Sequence, residues 1–220
     1  MEQSEYRTYR AVHPFDERFG VETSGLIYDL PTGSQHDACN HGYFAVAPSI
    51  FRKSLERLKL DYKRFRFVDL GSGKGRALLL ASDYPFREVI GVELSPQLHR
   101  IAIRNISRYL RSGTAAPLVS VRADAAEFTW PSGPLVIYMW NAFAQPVMER
   151  VLDNLRTALR DDPREMYLVY MHPELEHMFD RQLWLERLWL AEIEMDEEDY
   201  SAWAFPTRTE FCVAYRTVVG

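Results

Sequence analysis

The sequence predicts an α/β protein with a doubly wound, mostly parallel sheet that carries helices on both faces. Three observations lead to this prediction. Short apolar strands alternate with amphipathic helices from residue 65 onwards, a glycine-rich turn follows the first strand, and two late apolar segments can close the sheet as a hairpin. Right-handed crossovers then build a parallel sheet whose ligand crevice lies at the carboxyl ends of its strands.

The individual elements follow from apolar periodicity and turn residues. Residues 1–64 are predicted to be a partly helical N-terminal extension that covers the site of a cofactor or substrate, with a helix that starts at Pro48 and Ser49. Residues 65–220 are predicted to be the core of what is a single domain overall. The predicted strands are 65–70, 89–93, 119–123, 135–140 and 166–170, with the hairpin at 188–195 and 210–216. The predicted helices are 76–84, a segment that begins at Pro96 after the N-cap Ser95, and 145–160.

Composition excludes several classes of protein. The formal net charge of -5 gives no overall basic field, which argues against bulk nucleic acid as a partner. Cys39 and Cys212 match no metal-ligand or disulfide spacing, and no basic-then-apolar leader or membrane-length apolar run is present, so we expect a cytoplasmic protein without a membrane partner. The oligomeric state stays open.

The glycine-rich turn over residues 68–75, Val-Asp-Leu-Gly-Ser-Gly-Lys-Gly, is the strongest motif. Its glycines allow a tight turn and a close approach of a ligand to the backbone. Asp69 at the strand end would repel a pyrophosphate and welcome a methionine ammonium group. Glu93 closes the next strand, where a carboxylate can accept hydrogen bonds from both ribose hydroxyls. Asp124 closes the third strand and can accept from an adenine amino group, with Ala125 leaving room for the ring.

Two other nucleotide motifs fit the turn less well. A phosphate-binding P-loop requires Gly-Lys-Ser/Thr, but Gly75 follows Lys74, and position 68 is Val where that motif has its first glycine. The dinucleotide fingerprint G-x-G-x-x-G departs by one position, so a nicotinamide-dependent oxidoreductase stays open as an alternative.

Residues 67–94, FVDLGSGKGRALLLASDYPFREVIGVEL, resemble the first two motifs of class I, Rossmann-like S-adenosylmethionine-dependent methyltransferases, especially bacterial proteins with D-L-G-S-G-K-G-R followed by G-V-E-L. The resemblance spans about residues 40–170. It implies S-adenosyl-L-methionine as cofactor and a seven-stranded sheet whose last strand is antiparallel. The cofactor-binding residues that follow from the motif and its neighbours are Tyr43, Asp69, Gly71, Ser72, Gly73, Gly75, Glu93, Leu94, Asp124, Ala125 and Asn141.

The fourth strand ends in Trp140-Asn141-Ala142-Phe143, where the resemblance places the methyl acceptor. Amino-group methyltransferases often have Asn or Asp there, followed by Pro-Pro and an aromatic residue, but this chain lacks the prolines. A weaker similarity links it to non-SET lysine methyltransferases, whose strand ends in Asn-Asn-Phe; here Ala142 replaces the second Asn. We therefore hypothesise that Asn141 and Phe143 are catalytic candidates. Asn141 would face the acceptor or the methionine part of the cofactor, or would simply cap the helix that begins near Gln145 or satisfy the loop backbone. For Phe143 the simpler role is packing.

Further candidates have a structural and a functional interpretation. His172 at the end of the fifth strand is a candidate acid–base residue or a loop histidine. Tyr43 and Phe44 are candidates to cover the cofactor or to pack under the helix, and Asn40 and His41 share their position. Lys74 and Arg76 are expected to be solvent-exposed, with a carboxylate contact as the alternative. The acidic run 192–199 is expected to be a solvated strand end, or a surface for a basic protein, and Trp184, Trp189 and Trp203 are expected in the core or an acceptor pocket.

From the sequence we therefore expect a methyltransferase that acts on an unidentified nitrogen or oxygen nucleophile, either a protein lysine or a small molecule. Two alternatives stay open: the nicotinamide-dependent oxidoreductase, and a module that binds S-adenosylmethionine without transferring its methyl group.

Overall fold

The computed structural model describes residues 12–27, 42–109, 116–203 and 205–218. Its strands are β1 (Arg66–Leu70), β2 (Val89–Glu93), β3 (Leu118–Arg122), β4 (Leu135–Trp140), β5 (Met166–Met171), β6 (Leu185–Glu194) and β7 (Thr209–Thr217). Its helices are α1 (Pro14–Phe19), α2 (Pro48–Glu56), α3 (Arg76–Ala81), α4 (Pro96–Tyr109), α5 (Gln145–Asp161), α6 (Glu176–Asp180) and α7 (Glu197–Ser201). Residues 1–11, 28–41, 110–115, 204 and 219–220, which include Cys39, Asn40 and His41 of the predictions above, lie outside the described residues.

The seven strands form one sheet in the order β3-β2-β1-β4-β5-β7-β6. The first five are parallel, whereas β7 runs antiparallel between β5 and β6, as in the pair Val169 and Ala214. The predicted fold class, including the antiparallel last strand, is confirmed. Because the chain moves outward in opposite directions from β1 and β4, the crevice between their carboxyl ends is the topological switch point of the sheet.

Helices cover both faces of the sheet. On one face, Ile50 and Phe51 of α2 and Leu78 of α3 pack over Phe67 and Tyr138 in one buried cluster. On the other face, α5 and α6 bury the opposite side chains of the same strands in a second cluster. The parallel strands are therefore apolar on both sides, which explains their nearly continuous hydrophobic runs.

The elements differ from the prediction in several places: β6 begins at Leu185 instead of residue 188, helix α3 is shorter, and the short helices α1, α6 and α7 were not predicted. Helix α3 ends at Ala81 instead of residue 84, because Pro85 disfavours helical backbone at Tyr84 and the Ser82 hydroxyl donates to the Leu79 carbonyl. Helix α1 was not predicted, although the sequence holds Pro14 at its first position and the left-handed Gly20 at its end. At six residues it is too short to show a periodic apolar pattern.

Within the described ranges, no helix combines the length and the apolar character needed to span a membrane. The same ranges contain no group of three or more His, Cys, Asp or Glu side chains arranged to hold a metal ion.

Candidate active site

The loop between β1 and α3 lies at the switch point, beside the end of β4. Gly71 and Gly73 have positive φ values of 75° and 57°, which side-chain-bearing residues rarely adopt. A Cβ at Gly71 would lie 2.6 Å from the Cβ of Ala142, so only glycine lets the two strand-end loops approach this closely.

The ring of Tyr43 lies directly on Gly73. A Cβ at Gly73 would overlap the Cδ2 and Cε2 atoms of that ring. The Tyr43 hydroxyl donates to the Thr23 carbonyl at 2.5 Å, and the Lys74 ammonium lies 5.2 Å from the ring centroid. Burial raises the pKa of the Tyr43 hydroxyl, which keeps it a hydrogen-bond donor at neutral pH. The N-terminal extension therefore reaches the glycine loop through this ring.

Glu93 joins the loops after β1 and β2. Its Oε2 accepts from the Gly73 amide and its Oε1 accepts from the Ser95 amide, each at 2.7 Å. Burial raises the pKa of the Glu93 carboxyl, although the hydrogen bonds from Ser95 and Gly73 oppose the rise. Since a carboxylate oxygen has two lone pairs, each oxygen keeps capacity for a further donor.

Asp69 is a second buried carboxylate at this edge and is 4% exposed. Burial raises the pKa of its carboxyl well above the ordinary value, and the nearby Glu93 carboxylate raises it further. Two carboxylates that share an apolar environment repel each other, and a bound cation would relieve that repulsion. The end of β1 is therefore suited to hold a positive group.

The remaining predicted cofactor residues surround the same loops. The Asp124 carboxylate caps a short 3-10 turn by accepting from the Ala126 amide at 2.9 Å, and Ala125 is buried behind it. Leu94 is half-buried after β2. The Ser72 hydroxyl is buried and has no hydrogen-bond partner among the described residues. An orphaned hydroxyl beside a glycine loop is a feature that a ligand can satisfy.

Asn141 lies at the end of β4 with a positive φ of 31° and is 9% exposed. Its backbone N–H donates to the Met171 carbonyl at 3.1 Å, and its side-chain Oδ1 accepts from the Tyr170 hydroxyl at 3.0 Å. That hydroxyl itself accepts from the Leu175 amide, so its proton is directed to Asn141. The hydrogen bond from the Tyr170 hydroxyl therefore orients the carboxamide of Asn141 with its oxygen toward Tyr170.

Phe143 and His172 are the other two catalytic candidates, and both follow Asn141 in the chain. The Phe143 ring is buried in the cluster under α5 and approaches Gly71, so packing is its observed environment. His172 also has a positive φ, of 50°, and its Nδ1 lies 3.2 Å from Glu210 Oε2. The hydrogen bond to Glu210 raises the pKa of the His172 imidazole, while burial opposes the rise. His172 and Asn141 end neighbouring strands, β5 and β4.

The expected solvent exposure of Lys74 and Arg76 is wrong. Both side chains are 5% exposed, and both turn onto residues 12–27. Lys74 donates to the Ser24 carbonyl at 2.6 Å. Arg76 donates through Nε to the Thr23 hydroxyl at 2.6 Å and forms an ion pair with Asp16. The alternative of a carboxylate contact is correct for Arg76, because the N-terminal segment brings a buried carboxylate to it.

The acidic run 192–199 is only partly solvated. Asp199 is 3% exposed; its carboxylate accepts from the Ser49 amide at 2.5 Å and lies 3.2 Å from His13 Nε2. Sequence reasoning missed this contact, because His13 and Asp199 are 186 positions apart and neither lies in a motif. The connection between β6 and β7 is thereby tied to the N-terminal segment.

A cluster of aromatic rings at the end of β4 was also missed as a unit. It consists of Phe44, Trp140, Trp203 and Phe205. Trp203 belongs to the buried cluster under α2 and α3, and Trp189 packs against that cluster. Trp184 packs against the buried cluster on the other face of the sheet. These three tryptophans therefore pack in the core. The sequence shows the rings only as separate residues, since Phe44 and Trp203 meet through the tertiary fold.

The architecture is the Rossmann-like α/β fold found in methyltransferases. Precorrin-6y C5,15-methyltransferase from Geobacter metallireducens has a TM-score of 0.51 and 15% identity, over 76% of this chain and 86% of that one. A TehB-like SAM-dependent methyltransferase from Corynebacterium glutamicum has a TM-score of 0.50 and 18% identity, over 80% of this chain and 90% of that chain. YcgJ from Bacillus subtilis has a TM-score of 0.50 and 13% identity, over 76% of this chain and 97% of that chain. At these identities the likeness shows the fold alone. No protein-family model and no curated protein matches the chain.

Proposed function

We propose that this protein is an S-adenosyl-L-methionine-dependent methyltransferase. The observation that carries the proposal is the pair of buried carboxylates, Asp69 and Glu93, beside the glycine loop at the switch point. A nicotinamide dinucleotide would bring an anionic pyrophosphate to this loop and meet Asp69, whereas S-adenosylmethionine brings an ammonium and a sulfonium.

The residues around the loop fit this cofactor. Asp69 would hold the ammonium group, Glu93 the ribose hydroxyls and Asp124 the adenine amino group. Ala125 and Leu94 would flank the adenine, and the Ser72 hydroxyl would gain a partner. Gly71, Gly73 and Gly75 would let the cofactor approach the backbone, with Asn141 at its methionine end.

The N-terminal extension is proposed to cover this site. Tyr43 supports this role because its ring lies on Gly73 and its hydroxyl is held by Thr23. Lys74 of the same loop and Arg76 directly after it hold residues 16–24 against the core. Closing the site in this way would exclude water from the reacting groups.

The bound cofactor supplies a methyl group that a sulfonium already activates. The protein then has to align the acceptor with that methyl group, which needs no catalytic triad. We propose that Asn141 positions the acceptor or the methionine end of the cofactor, that Phe143 supports it by packing, and that His172 is available as an acid–base group. The acceptor is a nitrogen or oxygen nucleophile of a small molecule or a protein lysine.

Calorimetric titration with S-adenosylmethionine and S-adenosylhomocysteine, beside NAD and NADP, tests the cofactor. Glu93→Ala removes hydrogen bonds to a charged acceptor and is expected to cost about 2–4 kcal/mol, roughly 30- to 1000-fold in affinity. Glu127→Ala is the matched control, because it removes an equal charge from a side chain that is 71% exposed.

The outcomes separate the three candidate functions. Binding of the sulfur nucleosides that collapses only in Glu93→Ala supports the proposal. An isotherm for NAD or NADP alone would replace it with an oxidoreductase. Cofactor binding without methyl transfer to any panel of nitrogen and oxygen acceptors would favour a non-catalytic binding module.

A further inference from the structure

The aromatic cluster of Phe44, Trp140, Trp203 and Phe205 lies at the carboxyl edge of the sheet. The Phe44 ring centroid is 5.0 Å from that of Trp140, 4.7 Å from that of Trp203 and 5.2 Å from that of Phe205. Trp140 and Trp203 stack with an interplanar angle of 7°. Phe205 is 43% exposed and Trp140 is half-buried, so the cluster presents ring surface to solvent. Grouped aromatic residues with an exposed face mark binding sites more often than scattered apolar residues do.

The position of this cluster relates it to the proposed cofactor site. Phe44 follows Tyr43, whose ring covers Gly73, and Trp140 immediately precedes Asn141. The cluster therefore lies between the cover of the glycine loop and the end of β4. An acceptor that reaches the methyl group from outside the sheet would pass over these rings.

Carboxylates dominate the charge on the same face. Trp140 pairs with Met171 and Met171 with Cys212, so these side chains form one row across β4, β5 and β7. Glu210 projects from the same face as Cys212, two residues closer to the edge, and its side chain is only 12% exposed. Asp69 and Glu93 lie at the same edge, on the next strands.

Within the described ranges, the basic side chains near this end of the sheet have other partners: Arg208 pairs with Glu197, and Arg57 lies over the Trp189 ring. Lys74 and Arg76 point away from this edge, onto the N-terminal segment. His172, beside Glu210, is the titratable base at the end of β5. Aromatic faces combined with carboxylates bind cations in preference to anions or neutral hydroxyls.

We propose that the methyl acceptor is an amine on an aromatic or apolar body, which binds as its cation against the rings of the cluster with Glu210 as countercharge. This inference rests on the proposed function, since it assigns the acceptor of that site. Among the classes left open by the sequence, it selects nitrogen over oxygen.

The chemistry requires the bound ammonium to lose one proton before it can react. The Nδ1 atom of His172 is engaged by Glu210, while its Nε2 lies 3.5 Å from Glu174 and can accept that proton. The nitrogen lone pair then forms the new bond to the methyl carbon. The electron pair of the broken S–C bond stays on sulfur, which becomes a neutral thioether, and the positive charge moves to the methylated nitrogen.

Quenching of tryptophan fluorescence by benzylamine and by its neutral isostere benzyl alcohol tests the inference on the full chain. Both titrations are made at pH 7 with and without S-adenosylhomocysteine. We expect benzylamine to bind at least tenfold more tightly than benzyl alcohol. Glu210→Gln is expected to abolish that difference, and Phe205→Leu to weaken benzylamine binding about three- to tenfold. Glu192→Gln is the control, because Glu192 projects from the opposite face at the same end of the sheet.

Equal affinity for the two probes, no binding of benzylamine, or an unchanged preference in Glu210→Gln would overturn the inference. Calorimetry with S-adenosylhomocysteine on the same variants keeps this result separate from the proposed function. Cofactor binding without amine selectivity would remove only the acceptor assignment, whereas a failure to bind the cofactor would remove the proposed function.

Discussion

Arg76 and Asp16 form an ion pair, with 3.5 Å between Nη2 and Oδ1, in which the side chains are 5% and 3% exposed. Arg76 is the first residue of α3, directly after the glycine loop, and Asp16 belongs to α1 in the N-terminal extension. The Asp16 carboxylate is held further, because it also accepts from the backbone amides of Thr23 and Ser24. The extension is thus anchored to the loop that forms the candidate site.

Replacing Arg76 by Met is expected to lower the free energy of unfolding by about 3–5 kcal/mol, since it leaves the Asp16 carboxylate buried without its cation. Denaturant unfolding measures this cost. Arg104→Met is the matched control, because Arg104 contacts Glu22 with both side chains more than half exposed, and it is expected to cost less than about 1 kcal/mol. Equal costs for the two variants would show that the buried pair does not anchor the extension.

Gly73→Ala is expected to displace Tyr43 and to weaken binding of S-adenosylhomocysteine. Two effects add: the positive φ disfavours alanine by about 1 kcal/mol, and the new Cβ overlaps the Tyr43 ring. Gly20→Ala separates them, because Gly20 has a φ of 64° and no atom within 4 Å of its Cβ position. We expect Gly20→Ala to pay only the backbone penalty in unfolding and to leave cofactor binding unchanged.

A double mutant tests the contact itself. Combined with Tyr43→Ala, the Gly73→Ala substitution is expected to cost no more in unfolding free energy than Gly20→Ala does. Strict additivity of the Tyr43 and Gly73 substitutions would contradict a direct clash.

Asn141 allows the backbone and the carboxamide to be tested separately. At a φ of 31°, Asn141→Gly is expected to be about 1 kcal/mol more stable than Asn141→Ala, because glycine adopts positive φ without strain. Both variants lack the carboxamide, so both are expected to lose turnover, or cofactor affinity if Asn141 contacts the methionine end. Full turnover with unchanged cofactor affinity in both variants would refute a role of Asn141 in the reaction.

Affinity for S-adenosylhomocysteine is expected to fall as the solution is acidified. The ammonium group requires an ionised Asp69, and the pKa of this carboxyl is raised in the free protein, by burial first and by Glu93 second. Affinity is therefore complete above that raised pKa and decreases up to about tenfold per pH unit below it. Asp69→Asn is expected to bind weakly and to keep only the pH dependence that comes from Glu93, whose carboxyl pKa burial also raises. The exposed control Asp153→Asn is expected to follow the parent protein.

The raised pKa of Asp69 also determines the direction in which replacing this residue changes the free energy of unfolding. Because the folded pKa of Asp69 lies above its unfolded value, ionisation of this group opposes folding, and Asp69→Asn is expected to raise the free energy of unfolding at pH 7. Denaturant unfolding of Asp69→Asn and of the parent protein at pH 7 measures this difference in free energy. A lower stability of Asp69→Asn would mean that the carboxylate is stabilised by a contact in the free protein.

The prediction of strands and helices from the sequence succeeded where burial leaves a periodic pattern. The apolar runs of β1, β4 and β5 and the stripe of α5 match the observed elements within one or two residues. It failed for α1, α6 and α7, because each of these helices is shorter than two turns. It also failed for the side chains of Lys74 and Arg76, because a charged residue next to a glycine loop is normally solvated unless a distant segment covers it.

The sequence by itself therefore determined the alternation of strands and helices, the conformation of the glycine loop and the strand ends that carry Asp69, Glu93, Asp124 and Asn141, because local periodicity and glycine chemistry act over a few residues. Only the tertiary structure decided that Tyr43 covers Gly73, that Asp16 pairs with Arg76 and that four aromatic rings meet at the end of β4. These contacts join residues from distant parts of the chain, and their energy comes from burying charges and rings together. No local pattern in the sequence records such an energy, since it exists only once the segments are packed.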